Sequence, residues 1–227
     1  MIKEICVAGI KLGNYTVRES LMKIDKAFYE QSFTTVEEVN MRSLFLARED
    51  ETVKQIIESI DITVIAENGI LDVAGEHNLQ RKYEIEENEF FYQLLKRIER
   101  STKRIFLLGE SEKEILLAKE FIGEEFPRVV IAGSMALEAC VGGDESAINE
   151  INAEAPDVIL SVLPSPLQEH FLANHRDKLS ANLWYGVGDG KFARQRHRIT
   201  TELIKLFRVK KLMKYIKRYE KQDETEA

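Results

Sequence analysis

The sequence predicts an α/β fold, a mostly parallel sheet flanked by helices. Short β-branched and apolar runs alternate with longer amphipathic segments, the pattern of strands covered by helices. The runs are apolar almost throughout, as in strands buried on both faces. They fall at 33–39, 62–66, 104–108, 128–132, 158–163 and 183–187. A further segment, 5–12, reads as a strand added at the edge.

Helical periodicity fills the intervals. The stretch 42–60 reads as one helix with Leu44, Phe45, Ile56, Ile57 and Ile60 on its core face. Ser111 and Glu114 have capping-box spacing and open a helix to about Glu125. Segments 90–98 and 166–175 read as further helices, the second with Pro166 in its first turn. The architecture these elements describe is Rossmann-like. It occupies residues 1–198, with a basic amphipathic helix and acidic tail over 199–227.

Bulk properties narrow the function. The 227 residues suffice for one α/β domain, and a net charge of −7 argues against general nucleic-acid binding. Cys6 and Cys140 fit no metal or redox spacing and read as buried thiols in a reducing compartment. With no leader-like start and no long apolar window, the expectation is a cytoplasmic protein, with attachment to the inner face of the cell membrane left open. No Gly-x-Gly-x-x-Gly, phosphate loop or nucleophile elbow is present, and Asp-x-Asp is lacking. His170 and His175, five apart, do not have helical metal-pair spacing. No metal or cofactor is expected.

Strand ends instead carry glycines or polar turns: Glu67-Asn68-Gly69, Gly109-Glu110-Ser111, Gly133-Ser134 and Gly186-Val187-Gly188. Ligands of open parallel sheets sit outside the carboxyl ends of strands, where such turns let backbone N–H groups approach. Any one glycine after a strand simply makes a turn; four together point to a ligand crevice.

The most specific run is Asn152-Ala153-Glu154-Ala155-Pro156-Asp157, leading into a strand and then Pro164-Ser165-Pro166-Leu167-Gln168-Glu169. It resembles the signature of the WecG/TagA/CpsF glycosyltransferases, an Asn-x-x-x-Pro-Asp before a strand and then a Pro-Lys-Gln-Glu turn. An ordinary helix start offers similar residues, but the order of further matches covers nearly the whole chain. Asn40 resembles the Asn of the family's Thr-x-Asn turn, Gly69 the Gly of its Asp-Gly, and Gly188 belongs to its late Gly-Val-Gly.

The resemblance implies an inverting, metal-independent transfer of N-acetylmannosamine or a related sugar. The donor would be a UDP-sugar and the acceptor a lipid-linked saccharide, in teichoic acid or other surface polysaccharide synthesis. The implied substrate contacts are Asn40, Gly69, Arg81, Gly109, Gly133, Gln168, Glu169 and Gly188.

Departures from the pattern bear on catalysis. The residue before Gly69 is Asn68, where the family has the Asp expected to be its base, and an amide is no base at neutral pH. Glu67 has suitable chemistry one position earlier; a solvated turn acid fits it equally well. Gln168 is the third candidate catalytic residue, orienting donor or acceptor. Glu38 replaces the Thr of Thr-x-Asn, and no glycine follows Arg81 in an Arg-x-x-Gly turn. Arg-Ala-Pro and Gly-Leu-Glu-Trp are missing from the late part of the chain. There, Arg194, Arg196 and Arg198 precede a helix rich in Lys and Arg that suits an anionic membrane surface. Packing against the domain or a second subunit would use the same apolar stripe. The two readings are therefore an active glycosyltransferase and a non-catalytic module that binds a sugar nucleotide or a partner.

Overall fold

The computed structural model describes residues 3–188 and 190–193. The chain divides into two compact units, Met1–Asp189 and Gly190–Ala227, and the elements below belong to the first. Arg194, Arg196, Arg198 and the expected basic helix lie outside the described residues.

A six-stranded, all-parallel sheet forms the centre: β3 (Thr34–Val39), β4 (Ile62–Ile65), β5 (Arg104–Gly109), β6 (Val130–Ala136), β7 (Val158–Ser161) and β8 (Leu183–Gly186). Their order across the sheet is β4-β3-β8-β7-β5-β6. The strand residues of β5, β7 and β8 are buried almost throughout, as the apolar runs predict. On one face Phe106, Ile159 and Trp184 pack with Phe171, Leu172 and Ile148. Phe171 stacks on Trp184 with ring centroids 6.0 Å apart.

The helices are α1 (Val17–Glu30), α2 (Met41–Glu49), α3 (Glu51–Ser59), α4 (Asn68–Val73), α5 (Leu79–Glu86), α6 (Glu89–Arg100), α7 (Glu112–Glu125), α8 (Gly143–Glu154) and α9 (Leu167–His175). The single helix expected over 42–60 is two. Asp50 adopts an extended backbone that ends α2, and its carboxylate accepts the Thr52 and Val53 N–H groups that open α3. Phe45, expected on the core face, is 58% exposed, because the break changes the helical phase.

Other boundaries move for local reasons. Segment 5–12 is no edge strand of the main sheet. It forms a separate antiparallel hairpin, β1 (Glu4–Val7) and β2 (Ile10–Gly13), turning at Ala8 and Gly9, both at positive φ. The strand expected at 128–132 runs instead from Val130 to Ala136, with a register shift opposite Ile105 and Phe106. Gly133 therefore lies inside a strand rather than in a turn. Pro166 is the N-cap of α9, one residue before its first turn. Cys6 is exposed and Cys140 half-buried, so neither is the core thiol expected. Ser111 does cap α7, accepting the Glu114 N–H at 3.4 Å.

Candidate functional site

Because the strands are parallel, every strand's carboxyl end opens on one edge of the sheet. That edge gathers Asn40 after β3, the 67–69 turn after β4, Gln168 and Glu169 after β7, and Gly188 after β8. Gly109 shares the edge but not the cleft. β4 and β5 are four strand spacings apart, roughly 19 Å at ~4.8 Å per step. A side chain at Gly109 would meet Val162 at 2.9 Å and Ile115 at 3.0 Å, so its smallness serves packing. Gly133 is likewise a packing glycine, tight against Phe106 and Glu154 in an outer strand.

Two consecutive glutamates in β3 organise the two faces of this edge. Successive strand residues point to opposite sides, and Glu37 and Glu38 are both buried. Glu38 accepts the Tyr185 hydroxyl at 2.5 Å, on the side where Tyr185 meets Phe90 edge-on at 5.6 Å. Burial first, and then the charge of Glu38, push the Tyr185 phenol well above its usual range. The hydroxyl therefore stays a donor.

A small, partly open pocket lies on that side, walled by Tyr15, Glu38, Ala66, Arg81, Glu84 and Asn88 among others. Arg81 lies in its wall with its guanidinium already engaged. Nε donates to Asn14 Oδ1 at 3.2 Å, and Nη1 pairs with Glu84, whose Oε2 also accepts the Val17 N–H at 3.2 Å. Asn78 caps α5, accepting the Arg81 N–H, and so sets the Arg81 backbone. A phosphate at Arg81 would have to share it with Glu84.

The turn after β4 borders the same pocket through Ala66. Glu67 is exposed at the N-cap of α4 and makes no capping hydrogen bond. Asn68 is half-buried; its Nδ2 donates to Glu86 Oε1 at 2.8 Å, while its Oδ1 is buried without a partner. Gly69 is exposed, with open space where a side chain would stand. Asn40 uses its Oδ1 to accept the Ser43 N–H at 2.9 Å, capping α2, and Ser43 Oγ accepts the Asn40 N–H in return. That carbonyl is therefore already occupied.

On the other face, α9 places Gln168 and Glu169 over β8. Gln168 is 1% exposed, not projecting into a cleft as its helix-start position suggests. Its amide occupies the space left by Gly186: a Cβ there would be 2.6 Å from Gln168 Nε2. Gln168 Oε1 accepts the N–H of Gly188, which sits at positive φ, at 3.3 Å. Glu169 is fully buried and accepts the Ser165 hydroxyl at 2.5 Å. Glu37 comes up from β3 beside both. Burial, then the charge of Glu169, raise the Glu37 carboxyl well above the usual range.

Sequence reading missed Glu37, Tyr185 and Glu84. A signal existed for the first: two adjacent acids in a run otherwise fit for a doubly buried strand must place one charge on each covered face. None existed for Tyr185, whose partner is 147 residues away; for Glu84 the signal was its helical i,i+3 spacing from Arg81. Among the described residues no cluster of three or more His, Cys, Asp or Glu side chains suits a metal ion, and no helix is long and apolar enough to cross a membrane.

Comparison with known proteins fits this architecture. N-acetylglucosaminyldiphosphoundecaprenol N-acetyl-beta-D-mannosaminyltransferase of Staphylococcus aureus (strain NCTC 8325 / PS 47) is 22% identical over 192 residues, covering 82% of this chain and 73% of that protein. The protein of the same name from Bacillus subtilis (strain 168) is 24% identical over 183 residues, covering 80% and 71%. The Glycosyl transferase WecG/TagA/CpsF family profile matches residues 5–191, and the chain belongs to that family.

Proposed function

We propose that the protein is a glycosyltransferase that moves an N-acetylhexosamine-type sugar from a UDP donor to a lipid-linked saccharide, for teichoic acid or another surface polysaccharide. The observation that carries this reading is the pocket at the carboxyl ends of β3 and β4, beside the 67–69 turn, in a chain of this family. The relatives' names specify the acceptor as N-acetylglucosaminyldiphosphoundecaprenol and the sugar as N-acetylmannosamine. Transfer needs a base for the acceptor hydroxyl and donors for the departing diphosphate.

Glu67 is the unengaged carboxylate at the pocket rim and serves as the base. Asn68 contributes hydrogen bonds only, and Gly69 leaves the turn open to substrate. A basic residue, either Arg81 or one of Arg194, Arg196 and Arg198, steadies the departing UDP. The Lys- and Arg-rich segment that follows holds the protein at an anionic membrane surface, where the lipid acceptor resides. The test is UDP release by purified protein from UDP-sugars with a lipid-linked acceptor analogue. Turnover that falls at least a hundredfold in Glu67→Gln supports the assignment; turnover unchanged by Glu67→Gln removes Glu67 from it.

A second reading has its own support. The family's Asp position is Asn68, and the pocket carboxylates Glu38 and Glu84 are engaged with Tyr185 and Arg81. A site so arranged binds a sugar nucleotide without turning it over. Thermal stabilisation by UDP-sugars with no UDP release under any donor and acceptor selects this reading.

A further inference from the structure

Three carboxylate oxygens meet beneath the first turn of α9 without any protein donor of ordinary geometry: both oxygens of Glu37 and Oε2 of Glu169. Both residues are buried, at 1% and 0% exposure. The groups next to Glu37 include the Glu169 carboxyl, whose charge opposes ionisation of Glu37, and the Gln168 amide, whose hydrogen bond favours it. β4 presents Thr63 in register, but Thr63 Oγ1 is already bonded to Gly13. β8 presents Gly186, which has no side chain. Two carboxylates cannot be buried side by side as anions; one proton between them turns repulsion into a hydrogen bond.

We infer that Glu37 and Glu169 share one proton, and that this acid–carboxylate pair is a positioning device fixing Gln168 over Gly186 and against the Gly188 N–H. The geometry explains why α9 carries adjacent buried polar residues at its first turn. Glu169 is held from one side by Ser165 and from the other by the protonated Glu37. Gln168, between them, keeps Oε1 on Gly188. The pair thereby ties the strand-end turn of β8 to the helix start after β7. It does so whether or not a sugar nucleotide binds, so it stands apart from the proposed activity.

The sign of the pH effect follows. Glu37 binds its proton more tightly folded than unfolded, as burial and the neighbouring anion raise its folded pKa. Its contribution is therefore complete below the ordinary glutamate pKa and is lost as pH rises through the folded value. In that window unfolding releases one proton, and the unfolding constant rises about tenfold per pH unit from this group.

Infrared difference spectroscopy of the full-length protein at pH 7, in H2O and D2O, tests the pair directly. The expected result is a protonated carboxylic acid band that shifts on deuteration, disappears in Glu37→Gln and changes frequency in Glu169→Gln. Urea unfolding across pH 5–9 supplies the second readout. Glu37→Gln, which keeps a donor toward Glu169, should fold and lose about one proton's worth of pH slope. A wild-type spectrum with no protonated carboxyl overturns the inference, and so would a cation found in the proton's place. A band surviving in Glu37→Gln, or an unchanged slope in that variant, overturns it equally.

Discussion

At Gly186 the lack of a side chain is a packing requirement, since the Gln168 amide fills that volume and lies 2.6 Å from where a Cβ would stand. Gly186→Ala forces either α9 or β8 to move, and overpacking of a tight core costs about 1–3 kcal/mol. Urea unfolding followed by emission of Trp184, the one tryptophan and fully buried, should report that loss. Tyr185 poses a different problem. Its hydroxyl donates to a buried carboxylate, and hydrogen bonds to charged groups contribute about 1.5–3 kcal/mol. Tyr185→Phe should lower the urea midpoint accordingly and alter the pocket wall at Glu38. A loss below the error of the measurement would show that water replaces the hydroxyl.

Individual elements depend on their ends. α2 begins at Asn40, whose side chain and Ser43 satisfy each other's backbone groups. Asn40→Ala should cost about 1 kcal/mol in chemical denaturation, the usual effect of losing such a cap. If Asn40 also contacts substrate, the same variant loses affinity for UDP-sugars beyond what its stability loss explains. α3 depends on Asp50, whose carboxyl is held below its ordinary pKa chiefly by the Thr52 N–H and then by that of Val53. A lowered pKa adds stability above the unfolded value that disappears as pH falls through the folded one. Acid titration of helix content should therefore lose a step in Asp50→Ala relative to wild type.

Across the whole molecule, the parallel sheet makes one edge the place where ligand should bind. A ligand that binds only the folded state at a hundred times its Kd stabilises by about 2.7 kcal/mol, or roughly 5–10 °C for a domain of this size. UDP should produce such a shift in calorimetry, and Glu38→Lys, which reverses a pocket-wall charge, should change it. No shift with UDP or any UDP-sugar at millimolar concentration would remove the sugar-nucleotide site.

The sequence by itself determined the α/β class and five of the six main strands to within two residues. Doubly buried strands need continuous apolar runs, and that need is written locally. It also carried the resemblance that placed Gln168, Glu169 and Gly188 after β7 and β8. What it missed were properties set by distant partners. The break at Asp50 is the exception, a local N-cap to Thr52 and Val53 masked by the apolar period that runs across it. The extension of β6 past Gly133 depended on a register shift against β5. Gln168 looked free because a helix start usually faces solvent, and only the bare backbone at Gly186 revealed the space that buries it. Tertiary structure alone decided that Glu37 and Glu169, 132 residues apart in sequence, meet beneath α9, since no local pattern records which side chains cross a sheet to touch.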